Sequence, residues 1–169
     1  MSKVVALCGT GAASAVKFLR SSSFKIIRLS DPVFMGTKHI FNFTSKQMRA
    51  NEPVKLCDNI YVNPQKAMEF IRTDVFQYNI HHFVPGFGRA FWVKIAINKI
   101  LKQQGNYCVA DLTRLHDYYE LKKHFENMYV IEVIDPNQSP ISIEYIPYDT
   151  SIMKREIRHL SHILNDRFE

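Results

Sequence analysis

Short apolar runs alternate with amphipathic stretches along the chain. Lys3–Cys8 (KVVALC) is a β-branched strand pattern stopped by Gly9-Thr10-Gly11, after which residues 12–20 place apolar side chains at helical spacing. Residues 24–30 (FKIIRLS) predict a second strand, ended by Asp31-Pro32, with Pro in the first turn of a helix running to about residue 43. Thr44-Ser45 offers an N-cap for a short helix over 46–50. Asn63-Pro64 starts another through about Tyr78, with Ala67, Phe70, Ile71 and Val75 inward. Residues 89–103 predict a helix with Trp92, Ile95, Ala96 and Ile100 on its apolar face, ended by Gly105. A buried strand at 107–110 ending in Asp111, a helix at 116–127 and a strand at 128–134 follow. Residues 137–150 read as a polar linker with a strand at 141–146, and 151–166 as a closing helix. Strands alternating with helices predict an α/β domain, a small, mostly parallel sheet between helical layers, helix-rich and single over residues 1–169.

With 169 residues, 46% hydrophobic and 22% charged, the composition excludes a disordered or collagen-like chain. The net charge of +6 is uneven: residues 1–60 hold nine cations and three anions, and the remainder thirteen of each. An anionic partner is therefore expected in the N-terminal third, and no spread-out nucleic-acid surface is expected. Three cysteines without CxxC spacing imply neither a disulfide framework nor a zinc site. Cys8 and Cys108 lie in apolar runs, whereas Cys57 lies in the polar stretch Pro53-Val-Lys-Leu-Cys-Asp-Asn59, read as a surface loop between helices. Cys57 is thus the candidate for any intermolecular disulfide. The start MSKVVALCG is too short an apolar run for a signal peptide, and no stretch is long enough for a membrane span. The expected setting is intracellular, cytoplasmic or nuclear, without membrane attachment.

The turn after the first strand carries the sharpest chemical question. A phosphate cradle needs backbone N–H groups from a Gly-rich turn at a helix N-terminus, a Lys on the terminal phosphates and a hydroxyl on magnesium. Against G-x-x-x-x-G-K-[ST], Gly9 fits, but Ser14, Ala15 and Val16 stand for the second Gly, the Lys and the hydroxyl. Lys17 does not substitute, because two helical residues turn the side chain by about 200°. Gly9, Thr10, Gly11 and Ser14 remain candidates for a weak anion site. A plain Rossmann-like first turn fits the same residues.

Several segments, taken in order, resemble the deoxynucleoside monophosphate kinases of phages and large DNA viruses, which have a P-loop kinase fold. Arg28-Leu29-Ser30-Asp31-Pro32-Val33 resembles the family's strand running into Asp-Pro, and residues 37–48 (TKHIFNFTSKQM) resemble its next helix and turn. Gly86-Phe87-Gly88-Arg89-Ala90-Phe91-Trp92-Val93 is similar to its Arg-x-x-x-Trp-Val helix start. Cys108-Val-Ala-Asp111-Leu-Thr-Arg114, a helix and Tyr129-Val-Ile-Glu-Val-Ile134 resemble its strand-Asp-x-Arg-helix-strand unit. The resemblance implies that Asp31, Arg89 and Arg114 bind substrate, the arginines through their planar forks, and that Asp111 organises magnesium. The plainer roles are a solvated helix start for Arg89 and an ion pair with Asp117 or Glu120 for Arg114.

The departures fall on the catalytic positions, and the Asp111–Arg114 spacing is one residue longer than in the family. Phosphoryl transfer depends on positioning and electrostatics, where a single oriented donor is worth about 10²–10³ in rate. The sequence therefore predicts a catalytically inactive derivative with no bound cofactor. An odd cysteine and twenty Tyr and Phe residues favour self-association in a structural role, and the family implies a viral setting. The alternative is an active kinase using ATP and magnesium through Arg89, Asp111 and Arg114; a third reading is an anion-binding regulatory module. Seven histidines include the pairs His81-His82 and His159/His162, but no ligand spacing that completes a metal site.

Overall fold

A computed structural model describes residues 2–50, 52–79, 82, 88–139 and 144–168, with the side chains of residues 77 and 78 outside the description. The fold is α/β: a five-stranded parallel sheet flanked by helices in three layers. The chain divides into two compact units, Met1–Leu29 with Val93–Glu169, and Ser30–Trp92.

The first unit holds the sheet. Its strands are β1 (Lys3–Cys8), β2 (Lys25–Ile27), β5 (Asn106–Val109), β6 (Tyr129–Ile134) and β7 (Thr150–Met153), in the order β2-β5-β1-β6-β7. Strand β1 is central, pairing Val5 with Cys108 on one side and Ala6 with Val130 on the other. Alternate side chains divide its two faces. Val5 and Leu7, with Cys108, Ile131, Val133 and Ile152, pack with Ala15 and Leu19 of helix α1 (Ala12–Ser21) and Leu160 and Leu164 of α7 (Leu160–Phe168). The opposite set, Val4, Ala6, Tyr107, Val109 and Val130, is equally buried, as are Ile97 and Ile100 of α5 (Phe91–Lys102) and Leu121 of α6 (Leu115–His124). A right-handed crossover requires this division: β1 to β2 runs one way across the sheet and β5 to β6 the other, so their helices cover opposite faces.

The second unit contains α2 (Asp31–Ile40), α3 (Ser45–Arg49), a hairpin of β3 (Val54–Cys57) and β4 (Ile60–Val62), and α4 (Pro64–Phe70), which widens into a π-helical stretch over Ile71–Asn79. Helix α3 opens on a capping box, with Thr44 and Gln47 satisfying each other's backbone N–H groups. Asn63 caps α4 by accepting from the N–H groups of Gln65 and Lys66. Around the 3₁₀ turn Gly88–Ala90, the rings of Phe76, Phe91 and Trp92 cluster, and the Trp92 indole donates to the Arg72 carbonyl at 3.2 Å.

Three expectations are corrected. Residues 53–59 are not a loop between helices but most of a β-hairpin, whose side chains are largely solvent-exposed. Ser151–Met153 are strand rather than helix, because parallel pairing with β6 captures them; a 3₁₀ turn over Lys154–His159 then leads into α7. Phe70, the last residue of α4, and Val75 are exposed at 57% and 38%, not inward; Val75 lies in the π-helical stretch, which departs from the 3.6-residue period. Residues 141–143 of the expected strand, and Gly86-Phe87 and His81 among the motifs, lie outside the described residues; Glu144-Tyr145-Ile146 form no strand. No helix among the described residues is long and apolar enough to cross a membrane.

Candidate functional site

In an open parallel sheet, ligands bind beyond the carboxyl ends of the strands, where neighbouring strands send their connections in opposite directions. Here that point lies between β1, which connects toward β2, and β6, which connects toward β7. An open cavity of ≈ 420 Å³ occupies it, lined by the end of β1 and its turn, the end of β6, and Glu144, Tyr145 and Ile146. A second cavity, ≈ 360 Å³ and including Ser2, Val4, Ile100, Lys123 and Met128, lies at the opposite pole, where no sheet helix begins. The chemistry concentrates at the carboxyl pole.

The Gly9-Thr10-Gly11 turn is bound tightly to β6. The Gly11 N–H donates to the Val133 carbonyl at 2.7 Å, and the Asp135 N–H donates to Thr10 Oγ1 at 2.9 Å. Gly9 has φ +86°, and a Cβ there would meet the Val133 carbonyl oxygen at 2.6 Å; a Cβ on Gly11 would meet Val133 Cγ1 at 2.8 Å. Both glycines therefore permit close approach of this turn to β6. The turn is only three residues long, because α1 begins at Ala12 and the Ala12 and Ser14 N–H groups already donate to Gly9 and Gly11. Ser14 is half-exposed in the first turn of the helix. Ala15 and Val16, at the positions of the phosphate-binding Lys and the magnesium hydroxyl, are buried in the core at 0% and 5% exposure.

Asp135, buried just beyond β6, is held by three groups. Lys154 Nζ donates to it at 2.8 Å, the Asn137 N–H donates to its other oxygen, and its own backbone closes on Thr10. The hydrogen bond from Lys154, followed by that from Asn137, holds its carboxyl below the usual Asp value. Glu132 accepts from the Ser151 hydroxyl at 2.8 Å, and its negative charge raises the Tyr148 phenol above the ordinary value. Glu144 accepts from the Leu115 N–H at the start of α6. Burial first, and the Glu132 charge second, push the Cys8 thiol up to about 12.

The other candidates are dispersed. Asp111 follows β5, and its Oδ1 accepts from the Leu29 N–H at 2.6 Å, so it is engaged on the β2 side, while the glycine turn is bound to β6 on the other side of β1. Arg114 is the N-cap residue of α6 without a side-chain cap bond. Asp31, in the first turn of α2, and Arg89, in the 3₁₀ turn, belong to the second unit, as does the exposed Cys57 on β3. Cys8 and Cys108 are buried. Among the described residues, no group of three or more His, Cys, Asp or Glu is placed to hold a metal ion. Sequence reasoning missed Glu132, Glu144 and Tyr145, which meet only because β6, the β6–β7 connection and the turn after β1 converge. No protein-family model matches the chain, and no curated protein matches it.

Proposed function

We propose that this protein is a catalytically inactive derivative of the nucleoside monophosphate kinase fold, with a structural, self-assembling role in a viral setting. The observation that carries the reading is the burial of Ala15 and Val16 in the core, so that neither position presents a group to a nucleotide. The turn supports it as well, since its Gly11 N–H is committed to Val133 and its glycines to packing against β6. Carboxylates in the adjoining cavity oppose a polyphosphate. Self-assembly draws on the β3–β4 hairpin, which exposes Leu56, Ile60 and Tyr61 and carries the exposed Cys57. A two-stranded ribbon is marginally stable alone, and its open edges are templates for further strands.

Isothermal titration with ATP-magnesium, together with a coupled assay over the nucleoside monophosphates, tests the reading. Neither saturable heat nor turnover is expected. Micromolar ATP binding, or turnover abolished by Arg114→Ala, overturns it in favour of the active kinase. For assembly, analytical ultracentrifugation is expected to show oligomers that an Ile60→Lys, Tyr61→Lys variant shifts to monomer. A wild-type chain that stays monomeric at all concentrations refutes that part.

A further inference from the structure

The cavity at the β1–β6 end has a lining opposite in sign to the phosphate site its position suggests. Asp135 is matched by Lys154, but Glu132 and Glu144 also line the space, and none of its described lining residues is Lys, Arg or His. Among the described residues, Glu132 accepts from the Ser151 hydroxyl and Glu144 from the Leu115 amide, both neutral donors. Tyr145 lines the cavity with 75% of its surface open to solvent, and its ring lies 6.4 Å from that of Tyr148. Ile134, Pro136 and Ile146 add apolar surface, and a volume of ≈ 420 Å³ is within the range of small-molecule sites.

We propose that this cavity binds a small organic cation, a guanidinium or ammonium group on a compact apolar body. The carboxylates supply charge and accept N–H bonds, which a guanidinium returns as a planar fork. The ring face of Tyr145 attracts the same cation through its quadrupole. Apolar side chains take the body of the ligand, whereas phosphate meets repulsion at Glu132 and Glu144.

Benzylguanidine, and benzylurea as its neutral isostere, are titrated calorimetrically into the wild-type chain. Saturable binding of benzylguanidine is expected, with benzylurea at least about tenfold weaker. Tyr145→Ala, at an exposed position without a structural burden, is expected to weaken benzylguanidine by about threefold. Glu144→Gln and Glu132→Gln are expected to weaken it further. Benzylurea binding as tightly as benzylguanidine overturns the proposal, as does the absence of saturable heat with benzylguanidine. Indifference to Tyr145→Ala would place any binding elsewhere and has the same consequence. Should a Glu variant fail to fold, the wild-type comparison of the two probes and the Tyr145 variant still decide.

Discussion

At Gly9 and Gly11 the reason for glycine is the nearness of another strand. A Cβ at Gly11 would press on Val133 Cγ1, and at Gly9 it would press on a carbonyl oxygen while also holding a positive φ. Gly9→Ala and Gly11→Ala are each expected to destabilise the fold by about 1–3 kcal/mol in urea unfolding. Gly36, inside α2, meets nothing within 4 Å, so Gly36→Ala is expected to stabilise by up to about 1 kcal/mol through helix propensity. Reversal of that contrast would mean the turn is not packed as described. Thiol chemistry is divided just as sharply. Burial raises both Cys8 and Cys108 to about 12, so neither forms thiolate at neutral pH, whereas Cys57 is exposed. Titration with a thiol-reactive dye is expected to label one cysteine in the native chain and three after unfolding, with Cys57→Ser removing the native signal. On non-reducing electrophoresis of assembled material, a disulfide-linked dimer band is expected to vanish in the same variant.

Among the elements, the ion pair between Lys154 and Asp135 ties the 3₁₀ turn leading into α7 to the end of β6. Because the Asp135 pKa is lower in the folded chain than in the unfolded one, the unfolded chain binds the proton more readily. The stabilisation is therefore complete above the ordinary Asp value, near 3.8, and is lost as pH falls through the depressed folded value. Replacing Lys154 with Met is expected to flatten the acid arm of a stability-against-pH curve below about pH 4, with little change in slope at neutral pH. An unchanged acid arm would show that this pair does not govern it. Such ties are where the sequence was least legible. Strand β1 could be read because Val4, Val5 and Leu7 are all buried; the caps at Thr44 and Asn63 could be read because capping is local. β7 could not: of Thr150–Met153 only Ile152 is buried, and the strand exists through its pairing with β6. The hairpin escaped for the opposite reason. Its Leu56, Ile60 and Tyr61 are apolar but exposed, so periodicity offered no buried face. The cavity residues are drawn from positions 8–10, 132–138 and 144–146, and nothing local announces their meeting.

For the molecule as a whole, the placement of β1 in the middle of the sheet determines when it can form. Its partners are β5 and β6, and the Thr10–Asp135 hydrogen bond closes a separation of 125 residues. The first strand of the sheet to be made is thus among the last to find its neighbours, while the second unit, Ser30–Trp92, is one continuous stretch of chain. Non-local parallel pairing is slow, because loop closure must precede its reward. During synthesis, Lys3–Cys8 waits as an unpaired apolar segment until residue 109 has been made, and for its second neighbour until residue 134, exposed to aggregation or to capture by a chaperone. Ribosome-stalled chains ending near residue 105 are expected to leave the β1 amides unprotected in hydrogen exchange, and chains extended well past residue 134 to protect them. Early protection of β1 would mean that it borrows a temporary partner, and the order of assembly would then follow the order of synthesis.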